Sequence, residues 1–153
     1  MIRLTEDKLA YIAGIVDGEG TFSARNTQNR NSFPPVVSVR LIVWNTSLEL
    51  LNWFQKQIGG HLSSVRNLKD GENRKPIYCW YIGSKKEILE LLVQIYPYLI
   101  VKKKVGKKMM EFCERKLSLC RHIRSENEIK QDLFFKSQLN KLNMRGGVGL
   151  SFV

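Results

Sequence analysis

The sequence predicts an α+β domain in which a four-stranded antiparallel sheet is backed by helices. Apolar residues recur at helical and at strand spacing in the order helix, strand, strand, helix, strand, strand, helix over the first 95 residues. Turn-forming residues separate the paired strand segments, which favours antiparallel hairpins. Helical spacing then resumes, so we expect additional C-terminal helices over residues 101–143.

A first helix is predicted over residues 6–18, with Thr5 as its cap and two acids in its first turn. Leu9, Ile12 and Val16 form an apolar stripe suited to the core of the protomer. Beside it runs a stripe of small residues, where a second helix backbone can approach closely: Ala10, Ala13, Gly14 and Asp17. An ordinary core helix with few large side chains is equally compatible with this periodicity.

Four strands are predicted, at about residues 21–27, 37–44, 62–68 and 76–82. In the second strand, alternation puts Ser38, Arg40 and Ile42 on one face and four aliphatic residues on the other. In the third strand, Ser64 and Arg66 share a parity that we expect to be exposed. Residues 28–35 and 69–73 are rich in turn formers.

Three capping boxes predict the starts of later helices, since a Ser or Thr followed three residues later by Glu can satisfy the first amides of a helix. The pairs are Thr46 with Glu49, Ser84 with Glu87, and Ser125 with Glu128. The helices they open are expected to end at about Ile58, Ile95 and Asn143. One domain therefore covers residues 1–143, and residues 144–153 are expected to form a flexible tail.

Composition and net charge limit the classes of function that the chain can have. The chain of 153 residues has a net charge of +11, which points to a polyanionic partner. Nucleic acid is favoured over an acidic membrane surface because no separate amphipathic basic helix is present, and no segment is long and apolar enough to span a membrane. Three cysteines without metal-binding spacing are expected to be buried thiols in an intracellular protein, and zinc is a remote alternative.

Two carboxylates, Asp17 and Glu19, stand at the C-terminal end of the first helix, where the helix dipole disfavours them. A nearby cation would relieve this. Gly18 and Gly20 allow a sharp turn that could direct the Glu19 carboxylate and the Gly18 carbonyl toward one point. A hard, oxygen-seeking ion such as Mg²⁺ requires such ligands.

Residues 12–20, Ile-Ala-Gly-Ile-Val-Asp-Gly-Glu-Gly, resemble the signature of the LAGLIDADG homing endonucleases, with glutamate in place of the last aspartate. The resemblance covers residues 5 to about 110 and implies the LAGLIDADG homing-endonuclease fold, whose sheet forms a saddle on double-stranded DNA. Because only one copy of the signature is present, it also implies a homodimer. The family's metal ligands correspond to Glu19 and Gly18, which would hold Mg²⁺, with Mn²⁺ or Ca²⁺ as substitutes.

Two further catalytic candidates follow from the same resemblance. Asn45 occupies the place of an amide that orders water near the scissile phosphate, although an Asx-type helix cap is equally compatible with its position. Lys102 follows Pro97-Tyr98-Leu99, which resembles the stretch that leads to a charge-stabilising lysine. Lys103 and Lys104 are candidate phosphate contacts, with a plain solvated face as the alternative.

Base contacts are expected from side chains on the exposed face of the strands. A two-stranded ribbon fits the major groove of DNA, and arginine to guanine is the commonest specific contact. A solvated sheet face is the alternative for each candidate. The candidates are Ser23, Arg25, Thr27, Asn29, Ser38, Arg40, Ile42, Ser64, Arg66 and Tyr81.

The sequence and the resemblance together predict an intron-encoded, Mg²⁺-dependent endonuclease that cuts a long pseudo-palindromic DNA site as a homodimer. The dimer interface would be Ala10, Ala13, Gly14 and Asp17. The alternative is an intron maturase or a DNA-binding regulator on the same scaffold without nuclease activity. The protein is expected inside the cell, in a prokaryotic cytoplasm or an organelle.

Overall fold

A computed structural model describes residues 4–27, 36–66, 75–119 and 123–148. Helix α1 (Glu6–Glu19) leads into strands β1 (Gly20–Thr27) and β2 (Val36–Asn45). Helix α2 (Leu48–Ile58) precedes strands β3 (His61–Arg66) and β4 (Ile77–Ile82). Helix α3 (Lys85–Ile95), a 3-10 turn (Tyr96–Tyr98), helix α4 (Lys103–Ser118) and helix α5 (Glu126–Val148) follow. The predicted α+β order is confirmed.

The four strands form one antiparallel sheet in the order β1-β2-β4-β3. The register pairs Gly20 with Val43 and Leu41 with Ile82, so β2 and β4 are the central strands. One face of the sheet is buried under the helices, and its core includes Phe22, Leu41 and Trp80. Alternation leaves the opposite face of each strand open, as the pattern of β2 predicts.

Thr5 occupies the N-cap position of α1, although its side chain makes no capping hydrogen bond. Two of the three predicted capping boxes are confirmed. Ser84 caps α3, and Ser125 and Glu128 bond each other's backbone amides at the start of α5. The predicted Thr46 cap is wrong: Ser47 caps α2, its hydroxyl accepting from the Leu50 amide at 3.3 Å. The helix ends at Gly59, where φ is +90°.

The C-terminal prediction is partly wrong. Helix α5 continues to Val148, so residues 144–148 are helical rather than a flexible tail. Residues 149–153 lie outside the described residues, as do the predicted turns at 28–35 and 69–73. No helix in the described ranges is long and apolar enough to cross a membrane.

Helix α5 protects the exposed edge of the sheet. Strand β1 is an edge strand, and the Asn143 side-chain amide of α5 donates a hydrogen bond to the Phe22 carbonyl at 2.8 Å. Edge strands with unpaired backbone groups invite pairing with other chains. The helix therefore satisfies part of an edge that would otherwise be open.

A buried carboxylate joins α5 to α4. Asp132 is 2% exposed. It accepts from Arg115 Nη2 at 2.7 Å and from Lys116 Nζ at 2.9 Å. The two cations compensate the cost of burying its charge.

We expect Asp132→Ala to lower the free energy of unfolding by about 3 kcal/mol, because it leaves two partly buried cations without their carboxylate. Chemical denaturation measures the change. Glu114→Ala, which removes an exposed acid from α4, is the control and should cost no more than about 0.5 kcal/mol. Equal effects of the two substitutions would contradict a structural role for Asp132.

Candidate functional site

Asp17 joins the end of α1 to the start of α4. Its carboxylate accepts hydrogen bonds from the backbone amides of Ile100, Val101 and Lys102, at 2.7, 3.2 and 2.8 Å. These amides lie at the N-terminus of α4, where a negative charge is favourable. The α4 N-terminus thus offsets the unfavourable position of Asp17 at the C-terminal end of α1.

Lys102 is held at the same point. Its ammonium group donates to the backbone carbonyl of Asp17. Burial lowers the pKa of Lys102 below the usual value for lysine, while the carboxylates of Asp17 and Glu19 oppose this shift. Lys102 and Glu19, 83 positions apart in the sequence, are therefore close enough to interact electrostatically.

Glu19 is the last residue of α1, and its side chain is exposed. The next residue, Gly20, begins β1 where the chain passes close to the helix backbone. A Cβ at Gly20 would lie 2.5 Å from the Val16 carbonyl oxygen, so a larger residue cannot be accommodated without a shift. Gly20 is needed for this close approach rather than for a left-handed turn, since its φ is −77°.

One side of α1 is exposed and has small residues along it. We call Ala10, Gly14 and Gly18, which recur every four residues, the small stripe; all three are exposed. A Cβ at Gly14 or Gly18 would meet nothing within 4 Å. Among the residues that the structure describes, no contact within the protomer requires glycine at these positions, although a glycine in a helix costs about 1 kcal/mol relative to alanine.

Large apolar side chains border the small stripe. Tyr11 is 51% exposed, and its ring packs edge to face on Trp53 of α2. Ile100 and Val101, which Asp17 holds through their amides, are 85% and 74% exposed. Apolar surface of this kind around small residues is typical of an interface with another protein chain.

The predicted interface residues separate into two groups. Ala10 and Gly14 are exposed, but Ala13 is completely buried in the protomer's core and has no surface for a partner. The structure therefore corrects the assignment of Ala13. Asp17 is directed to the start of α4 within its own protomer.

The Asn45 side chain forms the Asx-type helix cap that is the alternative to a catalytic role. Its side-chain oxygen accepts a hydrogen bond from the Ser47 amide at 2.8 Å, which forms an Asx turn before α2. It lies two residues beyond Val43, the partner of Gly20 in the sheet, and is therefore at the same end of the sheet as Glu19. The predicted catalytic role of Asn45 stays a prediction.

The open face of the sheet combines polar and basic side chains with several apolar ones. The register places Ser23 opposite Arg40, and Arg25 opposite Ser38. Arg25 and Arg40 lie on this face, and no carboxylate occurs among those of its residues whose side chains the structure describes. In strand order these residues are Thr21, Ser23, Arg25 and Thr27; Val36, Ser38, Arg40, Ile42 and Trp44; His61 and Ser63; and Ile77, Cys79 and Tyr81.

On this face the Tyr81 ring of β4 contacts one side chain from each neighbouring strand. The Arg40 guanidinium lies over the Tyr81 ring, 5.0 Å from its centroid, and the His61 ring lies 5.2 Å from the same ring. We call these residues the Arg40 cluster. An arginine supported by an aromatic ring has less freedom to lose on binding.

Several predicted DNA contacts need correction. Ile42 is only 7% exposed, with Thr21 and Tyr81 opposite it, so it has little surface to offer. Ser64 pairs with Tyr78 and shares the parity of the helix-covered face, whereas Ser63 is on the open face. An irregularity between Ser64 and Arg66 shifts the strand register, so that Arg66 pairs with Ile77. The predicted DNA contact of Arg66 stays a prediction.

The remaining candidates are Asn29, which lies outside the described residues, and two exposed lysines at the start of α4. Lys103 lies over the Tyr96 ring, 5.2 Å from its centroid, and Lys104 occupies the next position. Both are near Lys102 and hence near the end of α1.

The cysteine prediction is confirmed for Cys79 and Cys113, which are buried free thiols.

The sequence reasoning missed Tyr11, Ile100, Val101 and His61. Helical spacing from Gly14 and Gly18 could have identified Tyr11 as part of the same side of α1. The positions of Ile100 and Val101 depend on hydrogen bonds to a residue more than 80 positions away. His61 could not be assigned to a face because the register of β3 was unknown.

The described part of one protomer offers few ligands for a metal ion. Among the described residues, no group of three or more His, Cys, Asp or Glu side chains is placed to hold a metal ion. Glu19 supplies one carboxylate, and the end of α1 leaves carbonyl oxygens without partners inside the helix. These are hard oxygen donors of the kind that Mg²⁺ and Ca²⁺ bind.

Solved structures of homing endonucleases resemble this chain. A crystal structure of I-CvuI, in complex with an I-CreI target in the presence of Mg, has a TM-score of 0.73 at 20% identity; the match covers 90% of this chain and 82% of that one. The archaeal intron-encoded endonuclease I-Vdi141I, complexed with DNA, has a TM-score of 0.71 at 22% identity, covering 90% and 86%.

I-SmaMI, bound to an uncleaved DNA target in the presence of calcium ions, has a TM-score of 0.63 at 20% identity. That match covers 91% of this chain but only 46% of I-SmaMI, so the chain corresponds to about half of that protein. No protein-family model and no curated protein matches the sequence. The chain has the fold of the LAGLIDADG homing endonucleases, whose signature its residues 12–20 resemble.

Proposed function

We propose that the protein is a Mg²⁺-dependent, site-specific DNA endonuclease that acts as a homodimer. One feature of α1 supports this most strongly: its exposed small stripe ends at Gly18, next to Glu19, and Glu19 is close enough to Lys102 to interact with it electrostatically. Two copies that pack through this stripe would bring two carboxylates and two lysines together. I-Vdi141I is intron-encoded, and we propose the same origin for this protein.

The two Glu19 side chains and the Gly18 carbonyls would hold the metal ions. Two carboxylates close together repel each other unless a cation lies between them, so each protomer would complete the site of the other. Bound Mg²⁺ supplies Lewis-acid stabilisation of the phosphate and of the oxygens that attack and leave.

Side chains of the protein would position the reacting phosphate and stabilise the charge that develops on it. Lys102, held by the Asp17 carbonyl, places a cation beside the reacting phosphate, where it can stabilise developing negative charge. Asp17 fixes the turn that carries Lys102. Asn45 would order a water molecule only if its side chain left the Asx turn that it forms with Ser47.

The open sheet face would contact the major groove. Arg25 and the Arg40 cluster offer guanidinium groups for guanine, and Ser23, Thr27 and Ser38 offer hydroxyl groups for base edges or phosphates. Lys103 and Lys104 would contact phosphates next to the cleavage site, where they position the duplex without selecting its sequence.

Incubation of the purified protein with Mg²⁺ and a library of random duplexes tests the proposal. Cleaved ends should share two inverted half-sites, and removal of the metal with EDTA should stop cleavage. Selective binding without any cleavage would instead support the regulator or maturase alternative.

We expect Asp17→Ala to slow cleavage about 10- to 100-fold by releasing the turn that positions Lys102, since a small misplacement has effects of this size. If Asp17 acts through Lys102, Asp17→Ala should cost little further in a Lys102→Ala background. Single-turnover rates of the two single variants and the double variant measure this coupling. Fully additive effects would show that Asp17 does not position Lys102.

We expect Arg40→Ala to relax base selection at one position of each half-site, by about 5- to 150-fold, because a bidentate arginine contact discriminates between bases to this degree. Binding selection from randomised duplexes provides the measurement. Lys104→Gln is the contrasting variant: it should weaken binding to all sequences equally and reduce the salt dependence by about one ion. Unchanged base preference in Arg40→Ala would exclude Arg40 as a base contact.

A further inference from the structure

A groove lies between α4 and α5, at the surface of the helical layer. Its main cavity, of about 310 Å³, is bordered by Arg115, Gln131 and Phe134. A second cavity of about 210 Å³, bordered by Lys141, continues it. Lys108 and Gln138 border both cavities, so we treat them as one groove, the α4–α5 groove.

An exposed aromatic ring lies at the side of this groove. Phe134 is 64% exposed, although the stacked rings of Phe112 and Phe135, 4.1 Å apart, already close the contact between the two helices. The packing of the core therefore gives no reason for an aromatic residue at position 134. Within the groove the ring offers a flat apolar face on which a planar group can stack.

Among the described residues one acid borders the groove, Glu111, whose carboxylate lies 3.4 Å from the Lys108 ammonium group. The C-terminal part of the chain around the groove carries an excess of positive charge. Thirteen of the 25 Lys and Arg but only five of the 14 Asp and Glu lie in residues 102–153, which therefore carry +8 of the net charge of +11. On α5, Asp132 is neutralised by Arg115 and Lys116, whereas Lys141 is exposed. A second copy of the chain would bring the same positive charge against this surface, so an anionic partner fits better.

We propose that the α4–α5 groove binds single-stranded nucleic acid. A base would stack on Phe134, since every base has a face that stacks on an aromatic ring. The side-chain amides of Gln131 and Gln138 offer donors and acceptors for base edges, and the exposed Lys141 offers a cation for a phosphate. Lys108 would contact a phosphate only by leaving Glu111. A groove of this volume admits one unstacked base and its backbone but not a duplex.

This site is separate from the proposed nuclease site. The small stripe belongs to α1, whereas the groove belongs to α4 and α5; α1 packs on α3, α3 packs on α4, and α4 packs on α5. The groove is also outside the open face of the sheet. The two proposals can therefore fail independently of each other.

Fluorescence anisotropy with labelled single-stranded RNA, single-stranded DNA and duplex DNA, each about 20 nucleotides long to exceed the site size of one binding module, tests the inference. Phe134→Ser should weaken binding of a single strand about 5- to 100-fold, as the loss of one stacked base does elsewhere. Lys141→Gln should weaken it less and lower its salt dependence. The controls are Val93→Ser, which changes an exposed apolar residue of α3, and Lys86→Gln, which makes the same charge change on α3.

Ultraviolet crosslinking followed by peptide mass spectrometry gives the position of the bound strand, and we expect the crosslink in the α5 peptide that contains Phe134. A preference for RNA over DNA would identify the natural strand. Equal effects of Lys141→Gln and Lys86→Gln together with no effect of Phe134→Ser would overturn the proposal, because binding would then be general electrostatic attraction. So would self-association that Phe134→Ser abolishes, since a second copy would then cover the groove.

Duplex binding and cleavage distinguish a failure of this proposal from a failure of the nuclease proposal. Phe134→Ser should cleave target DNA at the rate of the unmodified protein, whereas Arg40→Ala should bind single strands normally. Loss of duplex binding in Phe134→Ser would show that the groove contacts the DNA target instead, and would also contradict the proposal.

Discussion

Glu19→Gln is expected to abolish DNA cleavage in Mg²⁺ while leaving DNA binding and dimerisation intact. The substitution keeps the size of the side chain but removes the charge that holds the metal ion, and loss of the metal's stabilisation, worth several kcal/mol, corresponds to a rate decrease of about 10³-fold or more. Because Glu19 is exposed and at the end of a helix, the fold should not be affected.

Single-turnover cleavage of a selected target measures this effect, with Glu114→Gln as a control that makes the same charge change on the exposed side of α4. A metal site shared between two protomers predicts a further result. Mixed dimers in which only one subunit carries Glu19→Gln should not cut both strands at the normal rate, because each metal ion needs the other protomer. Normal cleavage by Glu19→Gln would exclude the proposed metal ligand.

Gly14→Leu is expected to convert the dimer to a monomer and to abolish cleavage with it. A leucine at position 14 would occupy the space in which the second α1 must approach. Within the protomer a Cβ at this position meets nothing within 4 Å, and leucine is a better helix former than glycine by about 0.8 kcal/mol. The monomer should therefore be folded and at least as stable as before.

Sedimentation shows whether this variant is a monomer, and thermal unfolding shows whether that monomer is folded. Loss of the dimer with a stable fold would assign Gly14 to the interface. Gly14→Ala, which adds a single methyl group, should weaken the dimer less. An active, dimeric Gly14→Leu protein would show that the two α1 helices do not pack through the small stripe.

Much of the fold could be predicted because local patterns agree with the global arrangement. The alternation of β2 gave the correct faces for Ser38 and Arg40, and the Ser84 and Ser125 caps gave the correct helix starts. The cap of α2 was displaced by one residue because Asn45 and Ser47 compete with Thr46 for the same role.

What could not be predicted depends on contacts between distant parts of the chain. The faces of Ser63 and Ser64 depend on the register between β3 and β4, and no local pattern specifies that register. Ala13 and Gly14 are both small, but only the packing of α1 shows that the first is buried and the second exposed. The interaction of Asp17 with residues 100–102 likewise appears only in the folded chain.

The central claim is that two copies of the chain form one nuclease site. Its most direct test is the molecular mass of the protein in solution at micromolar concentration. Sedimentation equilibrium should give about 36 kDa, twice the 17.8 kDa of the chain, and Gly14→Leu should reduce it to 17.8 kDa. A protein of 17.8 kDa that remains monomeric on its DNA and still cuts both strands would contradict the shared site.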